Sequence, residues 1–227
     1  VKLDDSIERA GLWRASALSP AVGRGIPTGF AALDNLLPAG GWPAGALTEI
    51  LADGEGIGAL QLVMPALARL SRGDRWLSWI APPHIPYAPA LASAGLDLSR
   101  VLLVHDRLNR DHLWAMEQAL RSGASAAVLG WFARLDVTTA RRLQLAAEAG
   151  DSWGVLFRPA RFAGDPSPAA LRLRLGASRR GTLVKVLKCR GGWPGGACVI
   201  DRPDDRAEPE RAASAIGDGF VGNDECR

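Results

Sequence analysis

The sequence predicts a mostly parallel α/β sheet flanked by helices, with an antiparallel β-hairpin at its C-terminal end. Three observations carry that expectation. Five short apolar runs alternate with stretches of helical periodicity, the signature of parallel strands joined by crossover helices. The first run opens into a glycine-rich turn that leads into an apolar helix. After residue 157 the period changes to two on either side of GASRRG.

The elements follow in order. Residues 1–24 read as a polar lead-in with one amphipathic stretch anchored by Trp13. Strands are expected at 47–51, 76–80, 101–104, 126–130 and 154–157, and helices at 58–71, 88–94, 111–122 and 137–149. Asp111 or Asn109 can cap the third of these helices and Thr138 or Asp136 the fourth, because a short side-chain oxygen satisfies first-turn N–H groups. Gly123 and Gly150 stand where those two helices need a left-handed residue to stop. LRLRL (171–175) and TLVKVLK (182–188) form the hairpin, placed at the sheet edge. The domain reading is therefore a lead-in over 1–24, a core with its hairpin over 25–200, and a disordered acidic tail over 201–227.

Composition narrows the function. At 227 residues, 48% hydrophobic and 22% charged, the chain suits one generous domain with a sizeable core. No apolar run approaches the length of a membrane span, and VKLDDSIERAGLWR carries acids where a secretory leader needs a basic region. Cys189, Cys198 and Cys226 make no C-x-x-C pair, so neither a disulfide framework nor a zinc site is expected. The expectation is a cytoplasmic protein with no metal, no cofactor and no membrane partner.

The glycine-rich turn has the layout of a phosphate loop without its chemistry. Such a loop needs close backbone approach, a lysine on the phosphates and a hydroxyl on Mg²⁺. Aligning Asp53 and Gly58 with the two motif glycines, across Gly54 and Gly56, puts Ala59 at the lysine and Leu60 at the Ser/Thr. The only lysines are Lys2, Lys185 and Lys188, none near the loop.

IPTGFAALDNLLPAGGWPAGALTEILADGEGIGAL resembles the opening of the RecA recombinase core, through Ile26, Thr28, Gly29, Leu33, Asp34, Gly40, Gly41, Pro43, Gly45, Glu49 and Ile50. The fold expectation thus becomes a RecA-like sheet. WIAPPHIPYAPALASAGLDLSRVLLV, LWAMEQALRSGASAAVLGW, RRLQLAAEAG, PSPAALRLRL and VLKCRGGWPGG together resemble the ImuA family, RecA-like accessory proteins of bacterial damage-inducible mutagenesis cassettes. That resemblance implies a non-catalytic adaptor in DNA-damage-induced (SOS) translesion synthesis. It would bind a polymerase-like protein of the ImuB type, with RecA and non-specific DNA as further partners. The alternative is a SulA-like inhibitor of cell division, since SulA proteins share a trimmed RecA-like core and act on FtsZ. By the RecA alignment the catalytic glutamate falls among Ala81, Pro82 and Pro83, and the Mg²⁺-linked aspartate falls at Gly130. With lysine, aspartate and glutamate all missing, no ATP hydrolysis is expected.

A molecule without enzyme machinery works by contact, and charge suggests where. From Arg158 to Arg190 stand nine basic residues (Arg158, Arg161, Arg172, Arg174, Arg179, Arg180, Lys185, Lys188 and Arg190) against the single acid Asp165. With Trp193 they form the expected partner or DNA surface, arginine beside tryptophan being the favoured hot-spot pair. A solvated hairpin that merely keeps the protein soluble explains the same charges. Trp76, Trp79 and Trp114 read as core, whereas Trp42, Trp131 and Trp193 fall at turns or strand ends and could be exposed anchors. His105 and Asp106 end a strand, but no triad or metal-ligand spacing surrounds them. Asp34 and Asp97 read as turn-closing or capping residues. The near-repeat AGGWPAGA (39–46) and RGGWPGGA (190–197) reads as two similar turns rather than a duplicated unit.

Overall fold

The computed structural model describes residues 25–54, 56–105 and 111–201. The expectations for the 1–24 lead-in, Trp13, Asp106, Asn109, Cys226 and the tail beyond Asp201 lie outside the described residues. The chain runs α1 (Ala31–Asp34), β1 (Leu47–Ala52), α2 (Ala59–Leu70), β2 (Trp76–Ile80), α3 (Ala88–Ser93), β3 (Val101–Val104), α4 (His112–Arg121), β4 (Ser125–Trp131), α5 (Val137–Ala149), β5 (Trp153–Pro159), β6 (Leu171–Ser178), β7 (Gly181–Cys189) and β8 (Ala197–Asp201). One sheet of eight strands holds them in the order β3-β2-β4-β5-β1-β6-β7-β8. β1 lies inside it, parallel to both neighbours, with Thr48 in register with Val155 on one side and Leu171 on the other.

Both faces of the inner parallel strands β2, β4, β5 and β1 are buried, and that is why they read as continuous apolar runs, whereas the edge strand β3 is partly exposed. Ile50, Leu77, Trp79, Leu129, Val155 and Phe157 join Leu62, Val63 and Leu67 of α2 in one cluster. The alternating residues Leu47, Ile80, Val128 and Leu156 join Met116 and Leu120 of α4 and Leu143 and Ala147 of α5 in the other. Each fully buried Leu or Val contributes about 1.5–3 kcal/mol, so the three layers are fastened from both sides. Trp42 adds to the first cluster by stacking on Trp153 at 5.2 Å between centroids.

Helix ends follow the sequence with two corrections. Asp136 caps α5 by accepting from the Thr139 N–H at 2.8 Å, and that bond with the Thr139 hydroxyl bond holds its carboxyl below the usual aspartate range. Asp97 accepts from Ser99 N–H, and Asp34 from Thr28 N–H. Gly123 takes the left-handed conformation at φ +70°, but Gly150 does not (φ −96°), and Asp151 at φ +46° turns the chain instead. Gly150 is needed for space: a Cβ there would sit 1.9 Å from the Leu120 carbonyl oxygen. Asp111 precedes α4 without a side-chain capping bond.

The hairpin forms as β6 and β7, but not at the edge. β6 pairs parallel to β1, and β8 pairs antiparallel to β7 beyond it. β8 went unforeseen because its five residues alternate weakly after a Gly/Pro turn. Tryptophan burial also departs from expectation. Trp42 is fully buried, while Trp76 (41% exposed) and Trp114 (62%) face outward. The two GGWP turns face each other across a small pocket at the N-terminal end of the parallel strands, Gly192 lying against Pro38.

Candidate functional site

The parallel strands end together, and the segments after β1, β2, β4 and β5 border a groove of about 950 Å³, lined chiefly by apolar surface. In a nucleotide-binding relative of this fold the phosphates, metal and attacking water would meet here. The resemblance to RecA assigns those positions to the residues at these strand ends.

After β1, Gly56 (φ +77°) and Gly58 (φ +90°) keep the tight backbone of a phosphate loop. Ala59 and Leu60 begin α2 and pack against the core, so the lysine and hydroxyl positions point apolar groups. The hairpin ties the loop down: the Thr182 hydroxyl donates to the Ile57 carbonyl at 2.7 Å, and Arg174 pairs with Asp53 at 3.3 Å. After β2, Ala81 adopts φ +52° and bonds the Val104 carbonyl, followed by Pro82 and Pro83, which have no N–H and no carboxylate. At the end of β4, a Cβ on Gly130 would lie 2.4 Å from the Phe132 ring and 2.7 Å from the Met116 sulfur. The space beside Gly130, where the resemblance to RecA puts a metal-linked aspartate, is filled by an aromatic ring and a thioether. Trp131 beside it stacks on Phe157 at 4.7 Å and tilts against Trp79 at 5.9 Å, giving the groove an aromatic floor.

The segment after β5 is held by a buried charge network. Glu49 on β1 has no exposed surface. Its carboxylate accepts from Arg172 Nε at 2.9 Å and the Ser167 hydroxyl at 2.6 Å, and pairs with Arg158 at 3.5 Å. Arg172 also donates to the carbonyls of Phe162, Ala163 and Asp165. Arg158 faces Asp165 at 3.8 Å and lies over the Phe162 ring. Sequence reasoning did not single out this hub. The available signal was one acid inside an otherwise apolar central strand, which must find a cation when buried.

The ten predicted contact residues do not form one surface. Arg158 and Arg172 are buried in this network, their side chains 3% and 8% exposed, so neither can be offered to a partner. Arg161, Arg174, Arg179 and Arg180 are exposed at the groove end of the sheet, and Lys185 is exposed midway along β7. Lys188 donates to the Ser167 carbonyl, with its pKa lowered by burial and then by the charges of Arg190 and Arg172. Arg190 pairs with Glu148, and Trp193 is 92% exposed, both at the opposite end. The Arg179–Arg180 turn and Arg190 lie at opposite ends of β6, eight residues or about 26 Å of strand apart, with Arg174 and Lys185 opposite each other between them. Of the histidines, His84 borders the groove, His105 is exposed and His112 is buried at the start of α4. Among the described residues no group of three or more His, Cys, Asp or Glu could hold a metal. Burial raises the thiol pKa of Cys189 and Cys198.

The sequence profile described as cell division inhibitor SulA matches residues 45–154. The chain is 36% identical over 123 residues to the cell division inhibitor SulA of Edwardsiella piscicida, spanning 53% of this chain and 73% of that protein. It is 35% identical over 99 residues to the SulA of Yersinia pestis, spanning 44% of this chain and 59% of the relative. The crystal structure of the RadB recombinase shares the fold, with a TM-score of 0.61, 14% identity, and coverage of 76% of this chain and 94% of that one. These relatives overturn the expected role as a translesion-synthesis adaptor and, with it, the polymerase-like protein, RecA and DNA as partners. The segment matched by the SulA profile is the parallel core, and the two SulA relatives are cell division inhibitors by name. Among the described residues no helix is long and apolar enough to cross a membrane.

Proposed function

Since the chain belongs to the SulA family, we propose that it inhibits cell division by binding FtsZ, the target that the SulA resemblance implies, in a DNA-damage (SOS) context. The observation that carries this reading is the 36% identity across 73% of a cell division inhibitor. The site supports a mode of action without turnover. The phosphate, metal and water positions hold Ala59, Leu60, Phe132 against Gly130, and the Ala81–Pro83 turn, so the chain hydrolyses no ATP and works by contact alone. Within the family we place the chain nearest the ImuA branch, on the stretches quoted for that resemblance; this is a statement of descent, not of activity.

The working surface belongs to the segment matched by the family profile, residues 45–154, rather than to the arginine-rich third that follows it. In that segment Leu102 (49% exposed) and Leu103 (43%) lie on the edge strand β3, and Ile85 (81%) and Tyr87 (73%) stand before α3. An edge strand with exposed leucines on both faces is a template for docking another chain. The test is FtsZ assembly followed by light scattering with the purified chain added. Near-stoichiometric inhibition is expected, together with its loss in Leu102→Glu/Leu103→Glu and its retention in Arg190→Ala/Trp193→Ala. Assembly unaffected by a molar excess of folded protein would sink the proposal.

A further inference from the structure

The groove has an aromatic floor and one charged border. Its floor is Trp79, Trp131 and Phe157. Arg161 lines the groove, and the Arg179–Arg180 turn stands at the same end of the sheet, two residues from the Thr182 hydroxyl that bonds the phosphate-type loop. All three arginines are exposed, and none is paired with a carboxylate among the described residues. An unneutralised arginine cluster beside an apolar groove, with Trp131 the partly exposed ring of its floor and Trp79 and Phe157 buried beneath it, fits an occupant that is both acidic and aromatic.

The chain carries such a segment, and the topology delivers it to the right place. β8 runs in the same direction as β1 and β6, so it too ends at the groove end of the sheet. Its last residue, Asp201, is in register with Gly181, next to Arg180. Residues 202–227 therefore start one strand spacing, about 5 Å, from the arginine turn. From β8 to the end of β4 is five strand spacings, about 24 Å, which about eight extended residues cover. Residues 218–225, DGFVGNDE, place Phe220 between Asp218 and the pair Asp224 and Glu225, with no basic residue among them.

We propose that the vacated nucleotide groove is the docking site of this chain's own residues 218–225, with Phe220 on the aromatic floor and the three carboxylates on Arg161, Arg179 and Arg180. The inference is independent of the inhibitor reading, because it concerns a surface outside the β3 edge and its test involves no FtsZ. The crevice at the strand ends, where nucleotides bind in α/β sheets of this kind, then holds an anionic, aromatic peptide in cis.

The test uses the full chain with Cys189→Ala and Cys198→Ala, so that a nitroxide can be attached at Cys226. Amide signals of Gly54, Gly56, Phe132 and Ala133 should be attenuated severalfold and recover when the label is reduced. Arg161→Glu/Arg179→Glu/Arg180→Glu, and separately Phe220→Ala, should restore them without reduction, while Gly195 at the far turn stays unaffected throughout. No attenuation in the groove, or attenuation that survives the charge reversal, overturns the proposal. So does attenuation seen only when spin-labelled, isotopically silent chains are mixed with isotope-labelled ones, since the tail would then come from a second copy.

Discussion

Replacing Glu49 by glutamine removes one negative charge and almost no volume, yet it should be among the most damaging single changes in the molecule. The carboxylate has no exposed surface and holds two arginines whose side chains are 3% and 8% exposed. Glutamine keeps an acceptor for one of them but leaves two buried cations with only Asp165, itself half exposed and 3.8 Å from Arg158. Arg172 retains its three carbonyl acceptors, so its hydrogen bonds survive while its charge does not find a counterion. Removing one member of a buried ion pair costs about 3–5 kcal/mol, because the remaining charge stays desolvated. Against a total stability of about 5–15 kcal/mol, that is a large fraction. With a urea slope of about 2 kcal/mol/M, the midpoint should fall by about 1.5–2.5 M, read by tryptophan fluorescence. The segment that Arg172 holds includes the groove wall at Ala160 and Arg161, so hydrogen exchange there should rise first. A midpoint shift below about 0.5 M would refute the reasoning, since it would mean that water reaches the network and solvates the freed arginines.

Gly58→Ala should destabilise by about 1 kcal/mol or more, from φ +90° and a Cβ 2.9 Å from the Thr182 hydroxyl, whereas Gly54→Ala should be close to neutral because nothing lies within 4 Å of its Cβ; paired urea titrations check both. Gly130→Asp, which puts a carboxylate where the resemblance to RecA has a metal-linked aspartate, should cost about 2 kcal/mol or more by forcing Phe132 and Met116 aside, and calorimetry with MgATP should show no added stabilisation. Asp136→Ala should lower the melting temperature at neutral pH. Its carboxyl is held below the ordinary value of 3.8, so that contribution is complete above this pH and fades as pH falls through the folded-state pKa; wild type and variant should converge in acid thermal melts.

Much of this architecture was legible along the chain, for a local reason. Trp76–Ile80, Val101–Val104 and Val137–Ala149 fall where apolar run length and periodicity put them. The Asp136 cap and the Gly123 stop depend on neighbours within a few residues, and the sequence shows those directly. The placing of Ala59 and Leu60 at the start of a helix is equally local. Function was read less well, because the ImuA-like stretches and the SulA relationship overlap on the same α/β core, and pattern alone does not say which partner that core meets.

What the sequence by itself determined is the set of elements, their order and which residues stand in the glycine-rich turn. Only the tertiary structure decided which arginines are available. Arg158 and Arg161 are three residues apart, as are Lys185 and Lys188, and composition treats each pair alike. Yet Arg158 is buried against Glu49, 109 residues away in the chain, while Arg161 faces solvent. The tertiary structure also decided that β8 closes the sheet beyond the hairpin and that Phe132 fills the space at Gly130. A buried charge or a filled space is set by contacts between residues far apart in sequence, and their cost or gain appears only when folding removes water from both partners at once.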